Sequence, residues 1–230
     1  MAVQRICFLC AYSWHCDKRY TLDFYGKYPG MQSNLWLLLT WALTMPLAHA
    51  ATVSVQLQDA AGKPLPEGVV FLESSHAKQL AKPIAGAEVA QVSRQFAPRV
   101  LVVPVGTAVT FPNRDTVRHH VYSFSPTKTF ELKLYTGTAV NPVVFDKPGI
   151  AVLGCNIHDN MTAWIVVVET PFFAYSDAKG AAVVRDVPTG TYHLRIWHPG
   201  LAVGAPAAEQ ALTVGNTDVA FSYRLSGVTP

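Results

Sequence analysis

Charge is scarce in this sequence. Asp, Glu, Lys and Arg make up 14% of its 230 residues, against 50% hydrophobic residues. A chain so poor in charge and so rich in apolar groups buries a core, which excludes a disordered or collagen-like protein. Long helical periodicity is also missing, which excludes a coiled coil. A basic patch is missing too. Residues 1–50 hold four bases and two acids, and the other 180 hold 14 and 13. Nothing in that near-neutral remainder selects nucleic acid as a partner. No apolar run has membrane-spanning length: the longest, Leu35 to Ala48, falls short of the roughly 20 residues a helix needs. What is present is glycine (15), proline (16) and much valine. That composition predicts an all-β protein with many turns.

The apolar run ends in Ala48-His49-Ala50, the small-x-small pattern that signal peptidase cleaves. Read from Met31, residues 31–50 form a compact signal peptide with cleavage after Ala50. Its n-region has no Lys or Arg after Met31, and a buried segment or an uncleaved anchor is the alternative. Residues 1–30 have no clear period. Cys7, Cys10, His15 and Cys16 have the look of a zinc knuckle, but an over-extended start of translation explains them more simply. The expected location is the periplasm, with no stable membrane span after cleavage.

Cysteine is then nearly absent. Three of the four lie before the cleavage point, leaving Cys155 alone. One cysteine in an oxidising compartment makes no internal disulfide. Its neighbours read Ala151-Val-Leu-Gly-Cys155-Asn-Ile-His158-Asp-Asn-Met161, then an apolar run, Ala163 to Val168. Cys155, His158 and Met161 stand in the order C-x2-H-x2-M. A thiolate, an imidazole and a thioether on one short loop form a soft ligand set that suits copper. Thioether is a poor zinc ligand. A second imidazole is available upstream, where an Asn113-Arg114-Asp115 turn leads to His119-His120. Successive strand residues face opposite ways, so one of the two points at the loop. Taken singly, each residue also has a plain structural reading: a polar pair at a strand edge, a packed thiol, a core methionine.

The stretch from about Ala87 to Glu169 resembles the cupredoxins, and within them the amicyanin type. The loop Cys155 to Met161 matches that type in spacing, and so does the Val-rich strand after it. The N-x-[DE] turn matches Asn113-Arg114-Asp115, which places the first ligand at His119, with His120 as the alternative. The run Val100-Leu-Val-Val-Pro-Val-Gly106-Thr-Ala-Val-Thr-Phe111-Pro-Asn113 is similar to the family's approach strand. The resemblance implies a Greek-key β-sandwich holding one copper through His119, Cys155 and His158, with Met161 axial. Two positions depart from the pattern: His120 stands where Asn is usual, and Ile157 where Pro is common.

Outside that stretch, Thr52 to Gln58 and Val69 to Glu73 read as strands around an Asp-x-x-Gly turn, and residues 74–87 read as a polar linker. Beyond Thr170-Pro171, a second Asp-x-x-Gly turn, the Val187-Pro-x-Gly-x-Tyr192 turn and a strand ending in Trp197 resemble carboxypeptidase regulatory-like, or transthyretin-like, modules. Residues 51–86 and 170–230 are therefore expected to form one discontinuous Ig/transthyretin-like sandwich around a copper domain at 87–169. Glu209 to Val214 and Asp218 to Arg224 would be its closing strands. His193, His198 and His76 read as ordinary strand or surface positions.

The expected function is single-electron transfer between periplasmic redox proteins, such as a dehydrogenase or a cytochrome c, with amine oxidation implied by the resemblance. Copper storage, delivery or sensing uses the same ligands. A carbohydrate- or protein-binding module with an accessory copper domain is a third reading. An oxidase is disfavoured, since it would need further histidines for more coppers.

Overall fold

The computed structural model describes residues 50–138 and 141–229. The expected signal peptide and the Cys7–Cys16 cluster lie outside them. The fold is all-β, in several sheets, as the valine and turn content predicts.

Two sheets combine the beginning and the end of the described chain. Strand β1 (Ala50–Gln58) alternates buried and half-buried residues. It pairs antiparallel with β16 (Ala181–Pro188) and parallel with β19 (Val219–Arg224). Strand β2 (Val69–Glu73) lies between β15 (Phe173–Tyr175) and β17 (Gly190–Trp197), and β17 pairs on with β18 (Ala208–Val214). Val53, Leu57, Leu72, Leu194 and Ile196 pack between these sheets. Both Asp-x-x-Gly turns close the same way. Asp59 Oδ1 accepts from the N–H groups of Ala61 and Lys63, and Asp177 Oδ1 from those of Lys179 and Ala181. In the third expected turn, the Tyr192 hydroxyl donates to the Pro188 carbonyl.

The middle of the chain builds a second layered unit. A five-stranded sheet has the order β10 (Lys128–Tyr135), β9 (His119–Ser125), β13 (Gly149–Gly154), β14 (Thr162–Val168), β6 (Val100–Pro104). Facing it are two smaller sheets. One contains β3 (Ala87–Glu88), β7 (Thr107–Thr110) and β12 (Val143–Phe145). The other contains β4 (Ala90–Val92), β5 (Gln95–Ala97), β8 (Pro112–Asn113) and β11 (Gly137–Thr138). Phe111, Val121, Phe145, Leu153 and Ile165 fill the space between, together with Cys155 and Met161.

Strand β14 explains its own sequence. Ala163, Ile165 and Val167 face that core, while Trp164, Val166 and Val168 face a third apolar cluster. There they meet Val100 and Val102 on β6, and Val69, Phe71 and Trp197 from the β2–β17 sheet. A strand covered on both sides loses its alternation and reads as an unbroken apolar run. Each buried Val or Ile of the strand contributes about 1.5–3 kcal/mol on burial.

Two local expectations change. The stretch read as a linker contains a short helix, α1 (Ser75–Leu80). Ser74 caps it, its Oγ accepting from the Ala77 N–H at 3.0 Å. Ala77 is fully buried and anchors the turn. The approach run is not one strand but β6, β7 and β8. It breaks at Gly106, whose φ of 87° needs a residue without a Cβ.

Candidate metal centre

The first candidate donor is placed by a turn. Asn113, at the end of β8, donates through Nδ2 to the carbonyls of Val117 and Tyr135, at 2.9 and 2.8 Å. Its Oδ1 accepts from the Asp115 N–H at 3.0 Å. One side chain thereby fixes the turn that delivers His119 to the start of β9. The Asp115 carboxylate accepts from the Ser93 and Arg94 N–H groups at 2.7 and 2.9 Å. Those two residues form the tip between β4 and β5 and both have positive φ, which turns their N–H groups the same way. The Arg94 N–H is the main influence holding the Asp115 carboxyl below the usual carboxylate range. Burial opposes it, and His119 and the Ser93 N–H reinforce it.

Asp115 Oδ2 lies 2.7 Å from His119 Nε2. An ionised carboxylate only accepts, so Nε2 carries the hydrogen and Nδ1 presents its lone pair. That Nδ1 lies 4.0 Å from Cys155 Sγ, and both residues are buried. Carboxylate–histidine pairs of this kind fix tautomer and ring orientation in metal sites.

The other donors come from the connection between β13 and β14. Cys155 follows the last residue of β13 and is a free thiol. The chain then turns, with the Met161 N–H donating to the His158 carbonyl at 3.0 Å. The His158 ring lies with its centroid 5.0 Å from that of His119. One donor atom from each of His119, Cys155 and His158 falls within 4.8 Å of the other two. Among the described residues this is the one such group of three or more His, Cys, Asp or Glu side chains. Bonds of about 2.0–2.3 Å to one ion would hold three donors about 3.5–4 Å apart in a trigonal plane, so the cluster fits an ion with little adjustment. His158 Nδ1 is buried and has no hydrogen-bond partner. A buried nitrogen left unpaired costs about 1–3 kcal/mol, a cost that ligation removes. Met161 is 1% exposed and packs in the same core as Cys155. The set is soft and imidazole-rich, which suits copper.

His120 goes elsewhere. It is buried on the other side of β9, with Nε2 2.9 Å from Glu131 Oε1 and its ring 5.5 Å from that of Tyr122. His193 pairs with Glu209, His198 bonds the Pro66 carbonyl and the Gly200 N–H, and His76 is exposed on α1. None of these joins the cluster.

Sequence reasoning used Asp115 only as a marker of the turn and missed that its carboxylate holds His119. An acid four residues before a candidate ligand was the available sign. It also missed Tyr122. That ring lies so tightly over Gly154, the residue before Cys155, that a Cβ there would stand 2.6 Å from its Cζ.

No family model matches the chain, and no curated protein matches it. Several solved structures do. A copper-containing nitrite reductase (NirK) from Thermus scotoductus SA-01 is 30% identical over 39% of this chain, with a TM-score of 0.34. The match spans about a quarter of that enzyme, 26% of its length. A purple cupredoxin from Nitrosopumilus maritimus is 23% identical over 36% of this chain and 99% of its own, with a TM-score of 0.32. A single-site mutant of amicyanin, in its reduced form, is 22% identical over 43% of this chain and 98% of its own, with a TM-score of 0.34. Among the described residues, no helix is long and apolar enough to cross a membrane.

Proposed function

We propose that this protein is a type 1 copper protein that carries single electrons between redox partners. His119 Nδ1, Cys155 Sγ and an imidazole nitrogen of His158 would hold the copper, with Met161 as a further, weaker ligand. The observation that carries this reading is the convergence of two imidazoles and one thiol within 4.8 Å, beside a buried methionine. Bound copper would supply the one-electron couple. The chain's own contribution is rigidity. His119 stands on a strand and is held by Asp115, while Cys155 and His158 are held by the β13–β14 connection. A site fixed from two elements resists rearrangement when the charge of its occupant changes, which favours electron transfer over catalysis.

The division of labour proposed with it is a copper domain at 87–169 and a discontinuous sandwich from 51–86 and 170–230. The protein would be exported to the periplasm after cleavage behind Ala50. Its partners would be a dehydrogenase or a cytochrome c, with amine oxidation as one setting. The sheets that join β1 with β16 and β19, and β2 with β15 and β17, support the discontinuous arrangement.

An optical spectrum of the purified protein with Cu(II) tests the reading. A thiolate bound to Cu(II) in a His2Cys set should give an intense visible sulfur-to-copper charge-transfer band, at one copper per chain. Colourless stoichiometric binding, or loss of metal on each reduction, would instead indicate copper storage or delivery.

A further inference from the structure

The end of the middle unit that holds the candidate donors has a surface of its own. Cys155 and His119 are buried there, and His158 is partly exposed. Large apolar side chains around it are left in solvent. Ile157, just before His158, is 47% exposed, and Val117, two residues before His119, is 37% exposed. Val92, at the end of β4, is 38% exposed. Hydrogen bonds tie these segments together. Asn113 holds the Val117 carbonyl, and Asp115 joins His119 to the Ser93–Arg94 tip that follows Val92. Scattered exposed apolar residues are ordinary, but three grouped about the one partly exposed donor mark a contact face.

The charge around this face has one sign. No basic patch is visible along the sequence, yet the fold gathers one here. Arg94 stands at the β4–β5 tip, Arg114 follows Asn113, and Arg118 precedes His119; all three are exposed. Arg114 shares its charge with Glu88 at 2.6 Å. The Lys and Arg ion pairs among the described residues involve Lys78, Arg99, Arg114, Lys128 and Arg195, not Arg94 or Arg118. The Asp115 carboxylate is turned inward onto the Ser93 and Arg94 N–H groups and His119, and Asp159 is exposed beside His158. Two unpaired guanidiniums therefore face one outward carboxylate, and the balance is positive. All three cations are arginines. A guanidinium presents a planar fork that matches a carboxylate bidentately, where an ammonium is a point charge.

We infer that this end docks a redox protein whose contact surface has an apolar centre and a rim of aspartates and glutamates. Val117 and Ile157 meet the partner's apolar centre, and Arg94 and Arg118 pair with its carboxylates. Rim charges of this kind steer the encounter and set its orientation more than they add affinity. The apolar centre is small, so the complex belongs to the transient class that buries less than about 1,200 Å2. The redox purpose of the partner rests on the proposed copper site, but the docking does not.

The test is an NMR titration of the isotope-labelled, purified protein, kept reduced with ascorbate so that it is diamagnetic with or without copper. The acidic probe is a plant-type ferredoxin, and the basic control is a c-type cytochrome of high positive charge. We expect the ferredoxin to shift the amide signals of Val117, Arg118, Ile157 and the Ser93–Arg94 tip, and the basic cytochrome to bind at least tenfold more weakly. Ferredoxin affinity should fall at least fivefold between about 0.01 and 0.15 M salt, over which the Debye length shortens from about 30 to 8 Å. Arg94→Glu combined with Arg118→Glu should weaken it at least tenfold. Arg118→Gln, a gentler change beside His119, should weaken it about threefold. Ile157→Ser should weaken it at least threefold and leave the salt dependence unchanged. Arg185→Glu, an equal change of charge at an exposed position on β16, should have no effect. The inference is overturned if the ferredoxin does not bind at millimolar concentration in low salt, if the shifted signals lie on another face, or if the basic cytochrome binds as tightly. It is also overturned if the double reversal has no effect, or if the same signals move with protein concentration alone, which would make the occupant a second copy. A missing copper band with this map intact would overturn the copper reading and leave the docking face standing.

Discussion

The core around Cys155 and the core around Leu194 are built from the same material. Both are apolar layers between twisted sheets, and both have histidines at or near them. They differ in how the imidazole nitrogens are used. His198, beside the Leu194 core, donates from Nε2 to the Pro66 carbonyl and accepts at Nδ1 from the Gly200 N–H. Both nitrogens are spent on backbone, and the residue works as a staple. Burial pushes its pKa down, consistent with a neutral ring. Around Cys155, His119 spends one nitrogen on Asp115 and aims the other at a thiol, while His158 leaves a buried nitrogen unpaired. The comparison teaches that burial of a histidine says little until its bonds are counted. His120 shows that one unpaired nitrogen is not enough. Its Nδ1 is also buried and unbonded, yet no second donor approaches it. Convergence of several such atoms is what marks a site.

The largest expected effect is all-or-none and confined to one core. Cys155→Ser and His119→Ala should each abolish the thiolate-to-copper absorption band. His198→Gln and His120→Asn should keep it, the latter with a shifted potential at most. If His120→Asn lost the band and His119→Ala kept it, the roles of the two faces of β9 would be reversed. Next in size is the converse cut. Leu194 is fully buried in the other core, so Leu194→Ala should cost about 2–5 kcal/mol in denaturant unfolding. The folded fraction should retain an unaltered copper spectrum.

How much of this was legible beforehand follows from where the chemistry is written. The loop from Cys155 to Met161 carries three candidate donors within seven consecutive residues, so spacing alone exposes it. His119 is 36 residues away and was reachable because the Asn113–Asp115 turn spells its own geometry in side chains. The strands at 52–58 and 69–73, both Asp-x-x-Gly turns and the closing strands were read from alternation and turn chemistry, within about two residues. Contacts made by backbone were not legible. The Ser93 and Arg94 N–H groups that hold Asp115 belong to residues whose side chains announce nothing. Tyr122 over Gly154 depends on strand register between β9 and β13, which no local pattern specifies. The α1 helix was missed because six residues carry too little period. Only Ser74 as its cap was there to be noticed.

A smaller effect than either core cut is expected from Asp115→Asn. The amide keeps one oxygen, which serves either the Ser93 or the Arg94 N–H but not both, since these bond separate carboxylate oxygens, and it loses the charge that holds His119 Nε2–H. Loss of such an outer partner weakens metal binding about 10–100-fold, measurable by competition with a chelator. The metal-free fold should lose some stability as well, because one of the two N–H groups then faces the amide NH2. An unchanged copper affinity would mean that the turn alone places His119.

The smallest expected effect lies in the second region and involves no metal. Asp177 does for its turn what Asp115 does for His119, without a histidine to hold. Its carboxyl is lowered below the ordinary value mainly by the Ala181 N–H and then by the Lys179 N–H. A group whose folded pKa is depressed contributes stability that is present above its unfolded pKa, near 3.9, and is lost as pH falls through the lower folded value. Asp177→Asn retains an oxygen acceptor and removes the titration. The variant should therefore be slightly less stable at neutral pH. It should also show a shallower fall in stability below about pH 4, with the two curves converging in acid. Equilibrium urea unfolding across that range reads the difference. Because Asp177 is solvent-exposed, screening keeps the gap small. A gap that widened towards low pH would reverse the sign, and would mean that the charge of Asp177 does not stabilise the turn.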